Sequence, residues 1–461
     1  MVRRLTVWLA SLTVAMLVMA VVLSGAAKAQ EAAGAWHGVL GNSLGELRVG
    51  VEITAKPGGG YQGALSSPDQ TPGALPLDSV TLEHGRLVFS SERIHARFEG
   101  DWDAARGAWV GRWTQGASGP LVLTKGPPEP RRRPQTPKPP FPYRAEDVAF
   151  DSAPGVRLAG TLTLPPGKGP FPAAVLITGS GAQDRDETLL EHKPFLVLAD
   201  ALTRRGIAVL RDDDRGFAKS TGDFASATSA DFAVDTEAAV AYLRSRPEID
   251  PARIGLIGHS EGGLIAPIVA VKDPRIAFVV MLAGPAVPGR ELLVAQREAV
   301  GRTAGLSPEA IASNEAVMGR LEAALAKPGD RAQVQAEAVK VLTDTGMAPT
   351  AAVATVKQLD SPWYAWFIAY DPRPVLAQVR APVLALDGDK DVQVVARQNV
   401  PALREALKAN PDATVVELPG LNHLFQTAGA GAPVEYIRIE ETMSPAVLDL
   451  IGDWVVKHTR G

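Results

Sequence analysis

The chain has 461 residues, 46% of them hydrophobic, a formal net charge of −4 and no cysteine. That length supports two or three domains and a large core. The near-balanced charge leaves no electrostatic basis for nucleic-acid binding. The missing cysteines exclude disulfides and a lipid-bearing cysteine in any compartment.

The first element stands outside the fold. MVRRLTVWLASLTVAMLVMAVVLSGAAKAQ carries Arg3 and Arg4, then an apolar run, then Ala27-Lys28-Ala29. This charged, apolar, small-residue order predicts a secretory signal over residues 1–29, cleaved after Ala29. The expected location is periplasmic or secreted, with no stable membrane contact once the signal is removed. The apolar run is long enough to leave an uncleaved anchor as the alternative.

Residues 31–125 read as a small all-β domain. ELRVGVEIT alternates Leu47, Val49, Val51 and Ile53 with polar neighbours. SVTLEHGRLVFSSE predicts two strands around Gly85, and ARFEGDWDAARGAWVGRWTQ two more around Arg106-Gly107. An antiparallel barrel or sandwich is expected. Trp36, Trp102, Trp109 and Trp113 read as its core in preference to a sugar-stacking face. GPPEPRRRPQTPKPPFP, residues 126–142, follows as a proline-rich linker, with Arg131 to Arg133 solvated within it.

From 143 to 461 strands alternate with helical patterns. AAVLITGSG, IAVLRDDDRG, RIGLIGHS, FVVMLAGPA, APVLALDGD and TVVELPG read as strands, with amphipathic helices between them. Continuous apolar strands alternating with helices predict a mostly parallel sheet covered on both faces. Between about 287 and 374 the pattern is helical only and ends in SPWYAWFIAYDP, the expected form of a lid.

RIGLIGHSEGG carries the chemistry. A strand, then Gly258-His259-Ser260-Glu261-Gly262, then a helix is the G-x-S-x-G nucleophile elbow. The turn lifts the serine hydroxyl to a helix N-terminus, where amides and dipole favour an oxyanion. A serine requires a base and the base an orienting acid, in the order Ser, acid, His. Only His423 and His458 follow the strand APVLALDGD. His458 lies near the chain end and is expected to be solvated, whereas His423 follows a strand directly and is the expected base. His259 is expected to support the turn.

LDGDKDVQV offers the acid. Asp391 is favoured, with Asp389 and Asp387 as turn formers. A calcium loop beginning at Asp387 fails because Val392 and Gln398 stand where glycine and glutamate are required. The expected oxyanion donors are the amides of Glu261 and of Ser180 in ITGSGAQDRDE. A dinucleotide loop at Gly179 fails because Asp184 occupies the third glycine position and would repel a pyrophosphate. Asp184 to Glu187 and Asp212 to Arg215 are expected to brace these loops through ion pairs, with substrate contact by Arg185 or Arg215 as the alternative.

GSGAQDRDE, DDDRGFAKSTGDF, GHSEGG, SPWYAWFIAYDP, LDGDKDVQV and LNHLFQ occur in this order. In that arrangement the chain resembles bacterial α/β-hydrolase esterases with an appended N-terminal β domain. The resemblance spans nearly all of 143–461. It implies an exported carboxylic-ester hydrolase with Ser260, Asp391 and His423 as its triad and no metal or cofactor. Thr178 stands where related hydrolases often carry histidine. The substrate is expected to be a small-molecule, short- to medium-chain acyl ester, with Trp363 and Trp366 of the lid lining the acyl site. A prolyl-oligopeptidase-like peptidase or a thioesterase on the same fold is the alternative, although the usual β-propeller of the former is far larger than the domain here. A non-catalytic binding protein would require a broken triad.

Overall fold

The computed structural model describes residues 32–42, 45–69 and 71–460. The expected signal at 1–29 lies outside them. Among the described residues no helix is long and apolar enough to cross a membrane. The chain forms two compact units, Met1–Pro130 and Arg131–Gly461.

In the first unit nine antiparallel strands form one sheet: β1 Gly34–Asn42, β2 Gly45–Ala55, β3 Tyr61–Ser67, β4 Thr71–Pro76, β5 Ser79–Glu83, β6 Arg86–Ser91, β7 Ala96–Asp103, β8 Ala108–Gln115 and β9 Ala117–Lys125. Their order, β4-β3-β2-β1-β9-β8-β7-β6-β5, makes consecutive strands the two edges. Leu77 N donates to Gly63 O and Asp78 N to Ser90 O, both at 2.9 Å, so the edges meet and the sheet curls toward a barrel. Alternating buried and exposed positions along β7 put one face inward. Trp36, Phe89, Phe98 and Trp109 fill that interior, and Trp102 packs edge-on against Trp36 and Trp109 at 6.0 and 5.1 Å. Burial of the tryptophans supports their reading as core.

The second unit is an eight-stranded sheet: β10 Arg144–Asp151, β11 Arg157–Leu164, β12 Phe171–Ile177, β13 Ala208–Asp212, β14 Ile249–His259, β15 Val279–Leu282, β16 Val383–Gly388 and β17 Ala413–Leu418. The order is β10-β11-β13-β12-β14-β15-β16-β17; β11 is antiparallel to its neighbours and β13 through β17 are parallel. Every residue of β15 and β16 is buried, as strands covered on both faces require. Helices α1 Pro194–Arg204 and α11 Pro445–Thr459 pack together. A second group comprises α2 Ser229–Ser245, α3 Glu261–Lys272, α9 Arg373–Leu376 and α10 Ala396–Ala406. Thr228 and Asp231 close a capping box at the start of α2.

The remaining helices lie in the insertion between β15 and β16: α4 Gly289–Thr303, α5 Pro308–Leu325, α6 Arg331–Thr343, α7 Pro349–Leu359 and α8 Pro362–Ala369. Leu321, Ala338, Leu342 and Val356 give this segment a small core of its own.

Arg133 differs from the solvated linker expected of it. Its guanidinium donates to the carbonyls of Leu190 at 2.8 Å, Ile439 at 2.9 Å and Ile437 at 3.2 Å. Gln135 bonds Thr442 and Met443 as well. Carbonyls of the second unit anchor this proline-rich segment. A chain beginning at Arg131 is therefore expected to fold, while one beginning at Tyr143 loses these bonds and about 3 kcal/mol or more. Thermal melts of the two truncated chains check this; equal melting temperatures would show that the segment anchors nothing.

Candidate active site

The elbow is built by close backbone approach. A Cβ at Gly258 would stand 2.0 Å from Gly262 O, and one at Gly262 would stand 2.1 Å from Ile177 O. Only glycine allows β14 to turn into α3 so tightly. Ser260, at the turn, has φ 52° and ψ −118°, a strained conformation for a side-chain-bearing residue. Its hydroxyl makes no hydrogen bond among the described residues, His423 included; contacts of this kind commonly tighten only in the substrate complex.

His423 follows β17, and its Nδ1 lies 2.7 Å from Asp391 Oδ2, both side chains being buried. Asp391 follows β16, and its Oδ1 accepts from Gln393 N at 2.7 Å and Val394 N at 2.9 Å. Asn422, which sequence reasoning did not single out, holds the histidine loop by accepting from Leu424 N and Gln426 N. Asp389 lies in the turn after β16, and its side chain accepts from Gly420 N of the loop after β17. Asp387 does not form a turn. It is fully buried without a partner among the described residues, and burial, then the charges of Asp391 and Glu417, raise its pKa well above the usual carboxylate range. His458 is not solvated either: it stacks on Trp454 at 3.9 Å and pairs with Asp412 at 3.3 Å.

His259 connects the elbow to its surroundings. Its Nδ1 lies 2.9 Å from Glu187 Oε1, its Nε2 lies 2.9 Å from His423 O, and its ring centre lies 4.8 Å from that of His423. Both nitrogens face oxygens that can accept, an arrangement that favours the protonated ring. Burial opposes that charge, but the charge of Glu187, its hydrogen bond and the His423 carbonyl together raise the pKa.

The loop after β12 lies beside Ser260. Gly179 N donates to Glu187 Oε1 at 2.9 Å, and a Cβ at Gly179 would stand 3.2 Å from Ser260 Cβ. Neither the Ser180 amide nor that of Glu261, the first residue of α3, has an acceptor among the described residues. Thr178 donates to Asp214 at 2.7 Å, and Asp214 also accepts from Gln183 N. Burial, over these bonds, pushes Asp214 up to about 8. Arg185 grips Asp213 and Arg215 grips Asp235 through two nitrogens each, which commits both arginines to bracing.

A cavity of about 650 Å³ is lined by Ser180, Gly181, Phe224, Lys357, Asp360 and Trp363, among others. Trp363, expected as a substrate contact, lines this cavity. Trp366 does not line this cavity: it stacks on Tyr370 at 4.4 Å, because neighbouring helix positions diverge and only one face of α8 meets the cavity. No group of three or more histidines or carboxylates able to hold a metal ion occurs among the described residues.

His192 was also not singled out. Its ring donates to Tyr436 O and accepts from Thr442 Oγ1, both at 3.0 Å, and burial lowers its pKa to about 4. The unfolded chain binds this proton near pH 6.5, so stability is lost as pH falls from there toward 4. Denaturant unfolding at pH 7 and 4.5 is expected to differ by on the order of 3 kcal/mol less in His192→Gln than in the unsubstituted protein. An unchanged difference would remove His192 as the cause.

A parallel sheet with one antiparallel strand, a serine elbow after β14, an acid after β16 and a histidine after β17 define the α/β-hydrolase fold. Residues 154–425 match the family model of the X-Pro dipeptidyl-peptidase (S15 family), and the chain belongs to that family. It is 29% identical over 319 residues to esterase EstD of Thermotoga maritima, covering 68% of each chain. With the uncharacterized protein YfhR of Escherichia coli O157:H7 it shares 31% identity over 166 residues, which span 34% of this chain and 56% of that one. The Pyrococcus furiosus esterase Pf2001 is a similar solved structure, with a TM-score of 0.44 and 15% identity over 69% of this chain and 92% of that one. Another is Est1E from Butyrivibrio proteoclasticus, with a TM-score of 0.40 and 15% identity over 68% of this chain and 98% of that one.

Proposed function

We propose that this carboxylic-ester hydrolase is exported and cleaves short- to medium-chain acyl esters through an acyl-enzyme on Ser260. The observation that carries the mechanism is the 2.7 Å contact between His423 Nδ1 and Asp391 Oδ2, at the same sheet end as the elbow. Ser260 Oγ attacks the acyl carbonyl while His423 Nε2 takes its proton, and Asp391 accepts from Nδ1–H and holds the tautomer. The Ser180 and Glu261 amides stabilise the tetrahedral oxyanion. His423 then gives its proton to the leaving alcohol as the C–O bond breaks. Water, activated by the same histidine, releases the acid and restores Ser260. These steps require no metal or cofactor. Export rests on the N-terminal order of charges, apolar run and small residues; a mature N-terminus at residue 30 in the periplasm or medium is the expected result.

The family's description favours a second reading, a dipeptidyl-peptidase. Such an enzyme needs a free carboxylate for the substrate's terminal ammonium. Among the described residues the cavity's lining carboxylate is Asp360, already paired with Arg331 and Gln335. Glu187, Glu261 and Asp214 lie outside this cavity's lining, and each accepts at least one internal hydrogen bond. The ester reading therefore leads. Turnover of p-nitrophenyl butyrate, its thioester analogue and an aminoacyl-prolyl p-nitroanilide decides between them, and the highest kcat/KM on the anilide would replace an esterase with a peptidase.

Acyl length gives a further expectation. Each buried methylene contributes about 0.8 kcal/mol, roughly fourfold in kcat/KM, until the pocket is full. The values should rise from acetyl to butyryl or hexanoyl esters and fall by decanoyl. Trp363→Ala should improve the long chains; a flat profile to palmitoyl would mean the lid forms no acyl pocket.

A further inference from the structure

Glu261 contributes more than its amide. Its side chain is buried, and Oε1 accepts from Ser229 Oγ at 2.5 Å and from Trp363 Nε1 at 2.8 Å. Ser229 opens α2 beneath the elbow, whereas Trp363 belongs to α8 of the lid. The indole stacks on Phe367 at 5.0 Å and turns its remaining surface to the cavity shared with Ser180 and Gly181. A buried carboxyl is costly to leave unpaired, so the bond stabilises both partners. It joins the residue after the nucleophile to the lid helix over 102 positions of sequence.

We propose that the Glu261 side chain is a positioning residue: it fixes the Trp363 indole as a wall of the acyl cavity and so sets the chain length that the site accepts. The consequence for chain length rests on the ester reading above. The latch itself does not.

Burial, against the pull of Ser229 and Trp363, raises Glu261 to about 7. The titratable groups around it are acidic. Asp212 and Asp214 at the end of β13 and Asp235 of α2 line one small internal cavity with Glu261, and the cations near them, Arg215 and Arg185, are committed to Asp235 and Asp213. Above about pH 7 the indole N–H therefore bonds a carboxylate, a charge-assisted contact. Below it the partner is a neutral acid and the hold weakens.

Indole N–H signals of the ¹⁵N-labelled protein test the latch without catalysis. The signal absent in Trp363→Phe should titrate with a midpoint near pH 7 and should stay fixed with pH in Glu261→Gln. Acyl esters test the consequence. The hexanoyl-to-decanoyl ratio of kcat/KM should stay within about twofold in Glu261→Gln, whose amide oxygen can accept both donors. It should fall by about tenfold in Glu261→Leu and in Trp363→Phe, and no further in the double variant, as for two ends of one contact. An indole signal that titrates unchanged in Glu261→Gln, or losses that add in the double variant, would overturn the latch. If no ester is turned over, the ester reading fails and the indole titration still decides the latch. If esters are turned over but the indole ignores Glu261, the latch alone fails.

Discussion

Replacing Ser260 with alanine is expected to lower kcat on p-nitrophenyl esters by about 10⁴- to 10⁶-fold while leaving the protein folded. The two halves of that expectation have separate grounds. Loss of activity follows from the proposed mechanism, in which the elbow hydroxyl attacks the carbonyl beside the two oxyanion amides. Retention of the fold follows because the hydroxyl makes no hydrogen bond among the described residues, so its removal leaves no partner unpaired. Alanine also tolerates the positive φ about as well as serine does; both carry one Cβ. Circular dichroism and thermal melting should match the unsubstituted protein. A folded variant that keeps a tenth of the activity would remove Ser260 as nucleophile.

The catalytic unit was legible where local pattern decides structure. Apolar runs such as AAVLI and VLAL became fully buried strands, and the glycines around Ser260 mark a turn that their missing Cβ atoms allow. Chain order narrowed the base to His423 or His458 and the acid to the turn after β16. The loops that directly follow β16 and β17 favoured Asp391 and His423, whose side chains lie 2.7 Å apart. Contacts made across the chain left no such period. Glu187 meets His259 over 72 positions, and Arg133 reaches Ile437 over 304. Nothing in the composition around Arg133 distinguishes an anchored arginine from a solvated one. His458 was misread for a related reason: nearness to the chain end says nothing of the Trp454 ring one helical turn before it. Asp387 is harder still. Every position of β16 is buried, and no partner among the described residues explains a carboxyl there.

Asp391→Asn is expected to lower kcat by about 10⁴-fold, the scale at which a misoriented triad histidine fails. In the native site one carboxylate oxygen, Oδ1, accepts from Gln393 N and Val394 N, and the other, Oδ2, faces His423 Nδ1. Asparagine has one acceptor and one donor to fill these places. The two backbone amides can only donate, so the amide oxygen must take the Oδ1 position. Its NH₂ then points at Nδ1 and makes that nitrogen an acceptor, which moves the ring proton to Nε2. His423 is left with a proton where it needs a lone pair, and it cannot take one from Ser260. Packing is nearly unchanged, so stability should fall far less than activity. Proton NMR of the variant should show the His423 ring proton on Nε2. A variant within tenfold of native kcat would mean that Asp391 does not set the tautomer, and Asp389→Asn would then be the substitution to compare.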